Sequence, residues 1–126
     1  IRTYATGTEG GRGFIAALAD EAIGRLLEAI HEAPAQSWSI ATMATTAGMS
    51  RSALTANFQR LVGVAPTKYL TSWRMQCARN LLRTTQLCIA DVAVQVGYES
   101  EWAFAKAFKR VFGEGPGASR RSASAG

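Results

Sequence analysis

Residues 89–116 read IADVAVQVGYESEWAFAKAFKRVFGEGP, and residues 40–66 read IATMATTAGMSRSALTANFQRLVGVAP. The two stretches are copies of one unit. Ile40, Ala41, Met43, Ala44, Ala47 and Gly48 match Ile89, Ala90, Val92, Ala93, Val96 and Gly97 at a constant offset of 49. The turn of the second copy is one residue longer, so Leu54, Phe58, Arg60, Gly63 and Pro66 match Phe104, Phe108, Arg110, Gly113 and Pro116 at an offset of 50. Each copy has a small residue, a glycine four positions later, and an apolar pair four apart in the segment that follows. This is the pattern of a helix-turn-helix. Ala44 and Ala93 are small because two helices cross closely there. Gly48 and Gly97 fall where the chain needs a positive φ, which glycine adopts at little steric cost. Leu54 and Phe58, like Phe104 and Phe108, share one helix face and bury against the preceding helix. A helical repeat of this length also occurs in solenoids. Only two units are present here, and a long helix separates them.

That separating helix opens at Pro66, which suits a first helical turn, and runs to about Thr84. Leu70, Trp73, Cys77 and Leu81 form its stripe, with Tyr69, Ala78 and Leu82 widening it, and Arg74, Arg79 and Arg83 give basic exposed positions. Nineteen residues at about 1.5 Å each make a rod of about 28 Å. Such a rod can set two recognition helices about 34 Å apart, one turn of B-DNA.

The flanks are simpler. Residues 1–19 read as a linker or the tail of a preceding domain, with glycines at 7, 10, 11 and 13 and a possible short apolar helix over Phe14–Ala19. Asp20 is placed to cap a supporting helix from Glu21 to His31. That helix buries Ala22, Ile23, Leu26, Leu27 and Ile30, and leaves His31 at its surface end. Trp38 packs ahead of the first copy, and Ser39 caps its first helix, Ile40–Ala47. Ser50 caps Arg51–Val62, whose Leu54/Phe58/Leu61 face is buried. In the second copy Cys88 is a poor cap, partly offset by Asp91, and Ser100 caps Glu101–Phe112. Pro116–Arg121 adds one more turn, and 122–126 is a small, polar, disordered tail. The expected fold is therefore all-α: a first helix-turn-helix subdomain over 20–65, a linker helix over 66–84 and a second subdomain over 85–121, about seven helices in all.

Charge is segregated along this plan. Residues 1–50 carry three basic and five acidic side chains, a net −2, whereas residues 51–126 carry eleven and four, a net +7. The positive half begins with the first recognition-type helix, which points to a polyanion, most plausibly nucleic acid. A basic surface that serves only solubility would not explain the segregation. The longest apolar run, Phe14–Ala19, is far too short to span a bilayer. No basic segment precedes a long apolar core, so no secretory signal is read. Cys77 and Cys88 lie in helical apolar patterns and are expected to be reduced, packed thiols of a cytoplasmic protein. His31 is remote from both, so no catalytic residue, metal ligand or cofactor is expected.

Three blocks carry a resemblance to a known family: AGMSRSALTANFQRLVGVAPTKYL, WRMQCARNLL and IADVAVQVGYESEWAFAKAFKRVFGEGPGASR. From about Asp20 to Arg121 the chain resembles the C-terminal DNA-binding domain of AraC/XylS-type bacterial transcription regulators. The resemblance implies two helix-turn-helix subdomains that bind promoter DNA as one unit. It also implies RNA polymerase as a partner and a missing N-terminal effector-sensing or dimerisation domain. The start at Ile1 rather than Met agrees with a fragment of something longer. Carried over residue by residue, the family's base-reading positions fall on Ser52, Thr55 and Ala56 and on Glu101, Trp102, Ala105 and Lys106. The family often has arginine at the places of Ala56 and Lys106, and a hydroxyl at that of Ala105. Ala56 cannot donate to a base edge. Lys106 keeps the charge without the flat bidentate fork that reads guanine best.

Phosphate contacts are expected from Ser50, Arg51, Arg74, Arg83, Ser100, Lys109 and Arg110, with helix N-termini adding backbone donors. Glu101 could accept from cytosine N4, and Trp102 could touch a thymine methyl or sugar. Each of these side chains also has an ordinary reading as a solvated surface charge or an edge-of-core aromatic. Two other functional classes stand beside DNA binding. Ala56, Ala105 and Glu101 would suit a helical protein-interaction module that lost DNA binding. An accessory domain of an alkyl-transfer DNA-repair enzyme would share the scaffold, although no nucleophile here supports catalysis.

Overall fold

The computed structural model describes the backbone of residues 10–125 and the side chains of residues 19–123. Seven helices follow one another, with no strand among the described residues. They are α1 (Gly10–Glu32), α2 (Ile40–Ala47), α3 (Arg51–Val62), α4 (Pro66–Thr84), α5 (Ile89–Gln95), α6 (Glu101–Phe112) and α7 (Pro116–Ala125). None of the described helices is long and apolar enough to cross a membrane.

Two hydrophobic cores lie along this order. Ile23, Leu26 and Ile30 of α1 meet Met43 and Ala44 of α2, Leu54 and Phe58 of α3, and Leu70 of α4 in the first. Met75, Ala78 and Leu82 of α4 meet Val92, Ala93 and Val96 with Phe104 and Phe108 of α6 in the second. Phe58, Phe104 and Phe108 are fully buried. Truncating any one of them to alanine is expected to cost about 3–5 kcal/mol.

The repeat is visible in the backbone. Gly48 and Gly97 end the first helix of each copy at φ 71° and 96°, in the left-handed region. In each copy the amides after the turn return to the same carbonyls: Met49 N donates to Ala44 O and Tyr98 N to Ala93 O. Ala44 and Ala93 are buried at these crossings. Ser39, Ser50 and Ser100 accept from the amides of Thr42, Ala53 and Ala103 as N-caps, whereas Cys88 makes no side-chain cap bond.

Several expectations need correction. The first helix is not a short piece followed by a helix capped at Asp20. It runs unbroken from Gly10, because no proline interrupts a strongly helix-forming stretch from Ala16 to Ala22. Asp20 is therefore internal to α1, and the expected boundary between residues 19 and 20 falls inside a helix. The linker character of residues 1–9 lies outside the described residues. At the other end, α7 reaches Ala125, so residues 122–125 are helical rather than a disordered tail. Leu61 is exposed, not part of the buried α3 face. Cys88 is exposed as well, and only Cys77 is partly packed.

The stripe of α4 also differs. Trp73, Cys77 and Leu81 are only partly buried, and Met75, which lay outside the expected stripe, is fully buried with Ala78. One helix serves two cores. Leu70 faces the first and Met75 the second, five residues on, which is a rotation of about 140° around the axis at 3.6 residues per turn. A single straight stripe cannot satisfy both.

Candidate nucleic-acid interface

Each copy presents its second helix in the same way. In α3, Leu54 and Phe58 point into the core and Arg51, Ser52, Thr55, Ala56 and Gln59 are exposed. In α6, Phe104, Ala107 and Phe108 point inward while Glu101, Trp102, Lys106, Lys109 and Arg110 are exposed, with Ala105 half-buried. The buried apolar pair thus decides which side chains each helix offers to solvent.

The two offered faces are chemically unequal. On α3 the Ser50 hydroxyl accepts from Ala53 N at 3.1 Å, and the Thr55 hydroxyl donates to Arg51 O at 3.0 Å. Gln59 Nε2 donates to Gly63 O at 3.1 Å. Much of the polar capacity of this helix is turned onto its own backbone, and Arg51 is the one long cation of its first turn. On α6, Trp102 is 70% exposed, which is unusual for so large an apolar ring. The Lys106 ammonium stands 4.4 Å from the ring centroid. This i, i+4 cation–π pair fixes the direction of a basic side chain on an exposed helix face, at a gain of about 0.5–1 kcal/mol.

The remaining expected contacts divide. Ser100 accepts from Ala103 N at 3.0 Å and leaves the first amides of α6 facing outward. Arg83 is exposed on α4, where it lines a polar groove of about 260 Å³ with Gln76, Arg79 and Asn80. Arg79 also lies over the Phe112 ring, 4.8 Å from its centroid.

Arg74 does not present the free guanidinium expected of a phosphate contact. Its Nε donates to Pro34 O at 2.8 Å and its Nη2 to Gln36 O at 2.9 Å, both in the α1–α2 loop. The guanidinium also lies 5.9 Å from the centroid of Tyr98. Burial lowers the Arg74 pKa, with the nearby Tyr98 acting in the opposite sense. Tyr98 packs beneath its turn against Phe104, as its sequence position suggested. Burial pushes its phenol up, against the pull of Arg74 and Arg110.

Sequence reasoning missed Arg120 altogether. Its Nε donates to Leu82 O at 2.9 Å, its Nη1 to Leu87 O at 2.6 Å and its Nη2 to Thr85 O at 3.2 Å. One side chain thereby satisfies carbonyls left over at the end of α4 and in the loop before α5. Its position in a small, polar segment gave no local hint of this. His31, read as a plain surface residue, is exposed but hydrogen-bonds the Tyr69 hydroxyl and packs 4.3 Å from the Trp73 ring centroid.

Comparison with known proteins agrees with this geometry. A family model described as a helix-turn-helix domain matches residues 43–122. A putative AraC-like transcription regulator of Streptomyces lividans is 45% identical over 109 residues, covering 86% of this chain and 36% of the relative. The HTH-type transcriptional regulator AlkR of Acinetobacter baylyi is 36% identical over 116 residues, covering 92% of this chain and 38% of the relative. The chain thus spans little more than a third of the length of these relatives. Among solved structures, the DNA-binding domain of AdpA in complex with a target DNA superposes with a TM-score of 0.74 at 31% identity, covering 85% of this chain and 93% of that one. The C-terminal domain of AraT, a response regulator from Geobacillus stearothermophilus, superposes with a TM-score of 0.77 at 28% identity, covering 80% of this chain and 84% of that one.

Proposed function

This chain belongs to the AraC-type helix-turn-helix family, and from that premise we propose that it binds promoter DNA sequence-specifically to regulate transcription. Helices α3 and α6 enter adjacent major grooves of one duplex, with α4 as the spacer between them. The observation that carries this reading is the pair of matched exposed helices, each set by a buried apolar pair and capped by a serine. The likeness to a domain solved on its target DNA supports it.

Affinity comes chiefly from phosphates, through Arg51, Arg83, Lys109 and Arg110 and through the first-turn amides of α3 and α6 that the Ser50 and Ser100 caps leave free. Specificity falls mainly on α6. There Lys106, steadied by Trp102, reads an acceptor edge such as guanine, Glu101 accepts from cytosine N4, and Trp102 and Ala105 supply apolar contact. Ser52, Thr55 and Ala56 of α3 add a weaker readout. The regulatory role is not enzymatic. The relatives extend well beyond the shared region. Within such a longer protein the partners are an N-terminal effector or dimerisation domain and RNA polymerase, in the cytoplasm and on the nucleoid.

Titration of labelled duplexes across salt concentrations tests the reading. Binding should weaken steeply with salt. Lys106→Ala should lower discrimination at one base position by roughly tenfold while leaving other positions alone. Arg51→Ala should weaken every sequence alike and reduce the salt slope by about one. Salt-independent binding, or equal losses from both variants at every site, would contradict the proposal.

A further inference from the structure

The Arg74 guanidinium touches both halves of the molecule. It leaves α4 and donates to two carbonyls, Pro34 O and Gln36 O, in the loop that feeds the first helix-turn-helix. On its other side it lies against the turn of the second. A Cβ added to Gly97 would come 2.9 Å from Arg74 Cζ and Nη2 and 3.0 Å from its Nε. The ring of Tyr98 stands beside it. The rest of α4 divides its contacts, with Leu70 and its neighbours in one core and Met75 onward in the other. Arg74 sits at this changeover.

We infer that Arg74 is the positioning residue that fixes the orientation of α3 relative to α6, and so sets the half-site spacing that the protein accepts on DNA. The physical case has three parts. Two charge-assisted hydrogen bonds from one planar group leave little rotational freedom. The carbonyls it holds lie in the α1–α2 loop, just ahead of Trp38, whose Nε1 donates back to Ala33 O, and of the Ser39 cap of α2. The loop is thereby tied to the first core. Gly97 has no side chain, so its backbone lies directly on the guanidinium, and any larger residue there would displace the guanidinium from its carbonyls. The Nε and Nη2 donors of Arg74 are taken by protein carbonyls, so it acts on the geometry of reading and not on any base. This rests on the proposed reading of DNA by both helices.

The test compares the intact protein with Arg74→Ala and Arg74→Lys on duplexes carrying zero, one or two extra base pairs between the half-sites. Each added pair turns the second groove by about 34–36° and moves it about 3.4 Å. The wild type should lose roughly tenfold or more in affinity per inserted pair, the size of a lost base contact. Both variants should bind all three spacings within a factor of about three, with an unchanged salt slope. Arg74→Lys keeps the charge but cannot hold both carbonyls, so a phosphate role would leave it near wild type. In parallel, residual dipolar couplings on the DNA-free proteins should fit one alignment tensor for the wild type and two for the variants, with each core still folded. A variant that keeps the single tensor and the wild-type spacing penalty overturns the inference. A wild type that ignores spacing while keeping a single tensor overturns the two-groove reading instead.

Discussion

In the first copy Ser39 caps α2 through Thr42 N, and Thr42 returns the favour by accepting from Ser39 N. In the second copy Cys88 stands at the same place and caps nothing. The first copy leans on α1, whose Ile23, Leu26 and Ile30 enter its core. The second leans in the same way on α4, whose Met75, Ala78 and Leu82 enter its core. It has further support from behind, where α7 packs mainly on α4 and Arg120 holds three carbonyls across the α4–α5 junction. One motif on one kind of core is thus completed in two ways, by a reciprocal cap at the start of the first copy and by a distant arginine behind the second. The functional faces differ in the same spirit, with short hydroxyls on α3 and a Trp–Lys pair on α6. The helix-turn-helix geometry itself asks only for a small residue, a turn glycine and a buried pair. Everything around those positions is free to diverge.

The largest break in this comparison should come from Arg120→Ala. It leaves Leu82, Thr85 and Leu87 carbonyls without a charged donor, a loss on the order of 3 kcal/mol. The damage should be confined to one side. In hydrogen exchange, amide protection should fall in α5, α6 and the end of α4, while α1 to α3 keep theirs. A uniform loss across both copies would mean that the two cores are not separately supported.

A smaller contrast lies in the paired glycines. Gly48→Ala and Gly97→Ala both force a left-handed backbone onto a residue with a Cβ, at about 1–2 kcal/mol. At Gly48 the new methyl meets open space, whereas at Gly97 it meets the Arg74 guanidinium. Gly97→Ala should therefore cost about 1 kcal/mol more, the scale of one displaced hydrogen bond. Denaturant unfolding of the two variants, each repeated on an Arg74→Ala background, reads the difference. The gap should close when Arg74 is absent, and a gap that persists would place its cause elsewhere.

How far these features were legible in the sequence follows from the range of the signals. The boundaries of α2, α3, α4 and α6 depend on caps, turn glycines and apolar spacing within a few residues, and all could be read directly. The roles of Arg74 and Arg120 could not. Each is a basic residue on a helix, indistinguishable in sequence from one facing a phosphate. Their partners lie 33 to 40 residues away and are backbone carbonyls, which carry no sequence identity. Asp20 misled for a related reason, since a good capping residue inside an uninterrupted helical stretch caps nothing. The α4 stripe found the packed residues but missed Met75, because periodicity presumes one partner and this helix has two. The interface residues Ser52, Thr55, Trp102 and Lys106 were named from the repeat and the resemblance, and the structure exposes all four. The Trp102–Lys106 pairing follows from their spacing but was not anticipated.

The caps give the finest test of the comparison, because the two copies can be made alike by one atom. Cys88 already has the backbone of an N-cap, with φ −70° and ψ 162°, nearly the values of Ser50, which caps α3 at φ −71° and ψ 164°. It is exposed, so replacing it removes nothing from the core. Cys88→Ser should place an oxygen where it can accept from Asp91 N, three residues on, as Ser50 and Ser100 do from theirs. A gain of about 0.5–1 kcal/mol is expected, mirrored by a loss of about 1 kcal/mol for Ser39→Ala in the first copy. Opposite signs in equilibrium unfolding would show that capping is the term in which the copies differ. If Cys88→Ser brings no gain while Ser39→Ala is costly, the start of α5 is held by its contacts with α4 and not by its cap, and the asymmetry between the copies is deeper than one side chain.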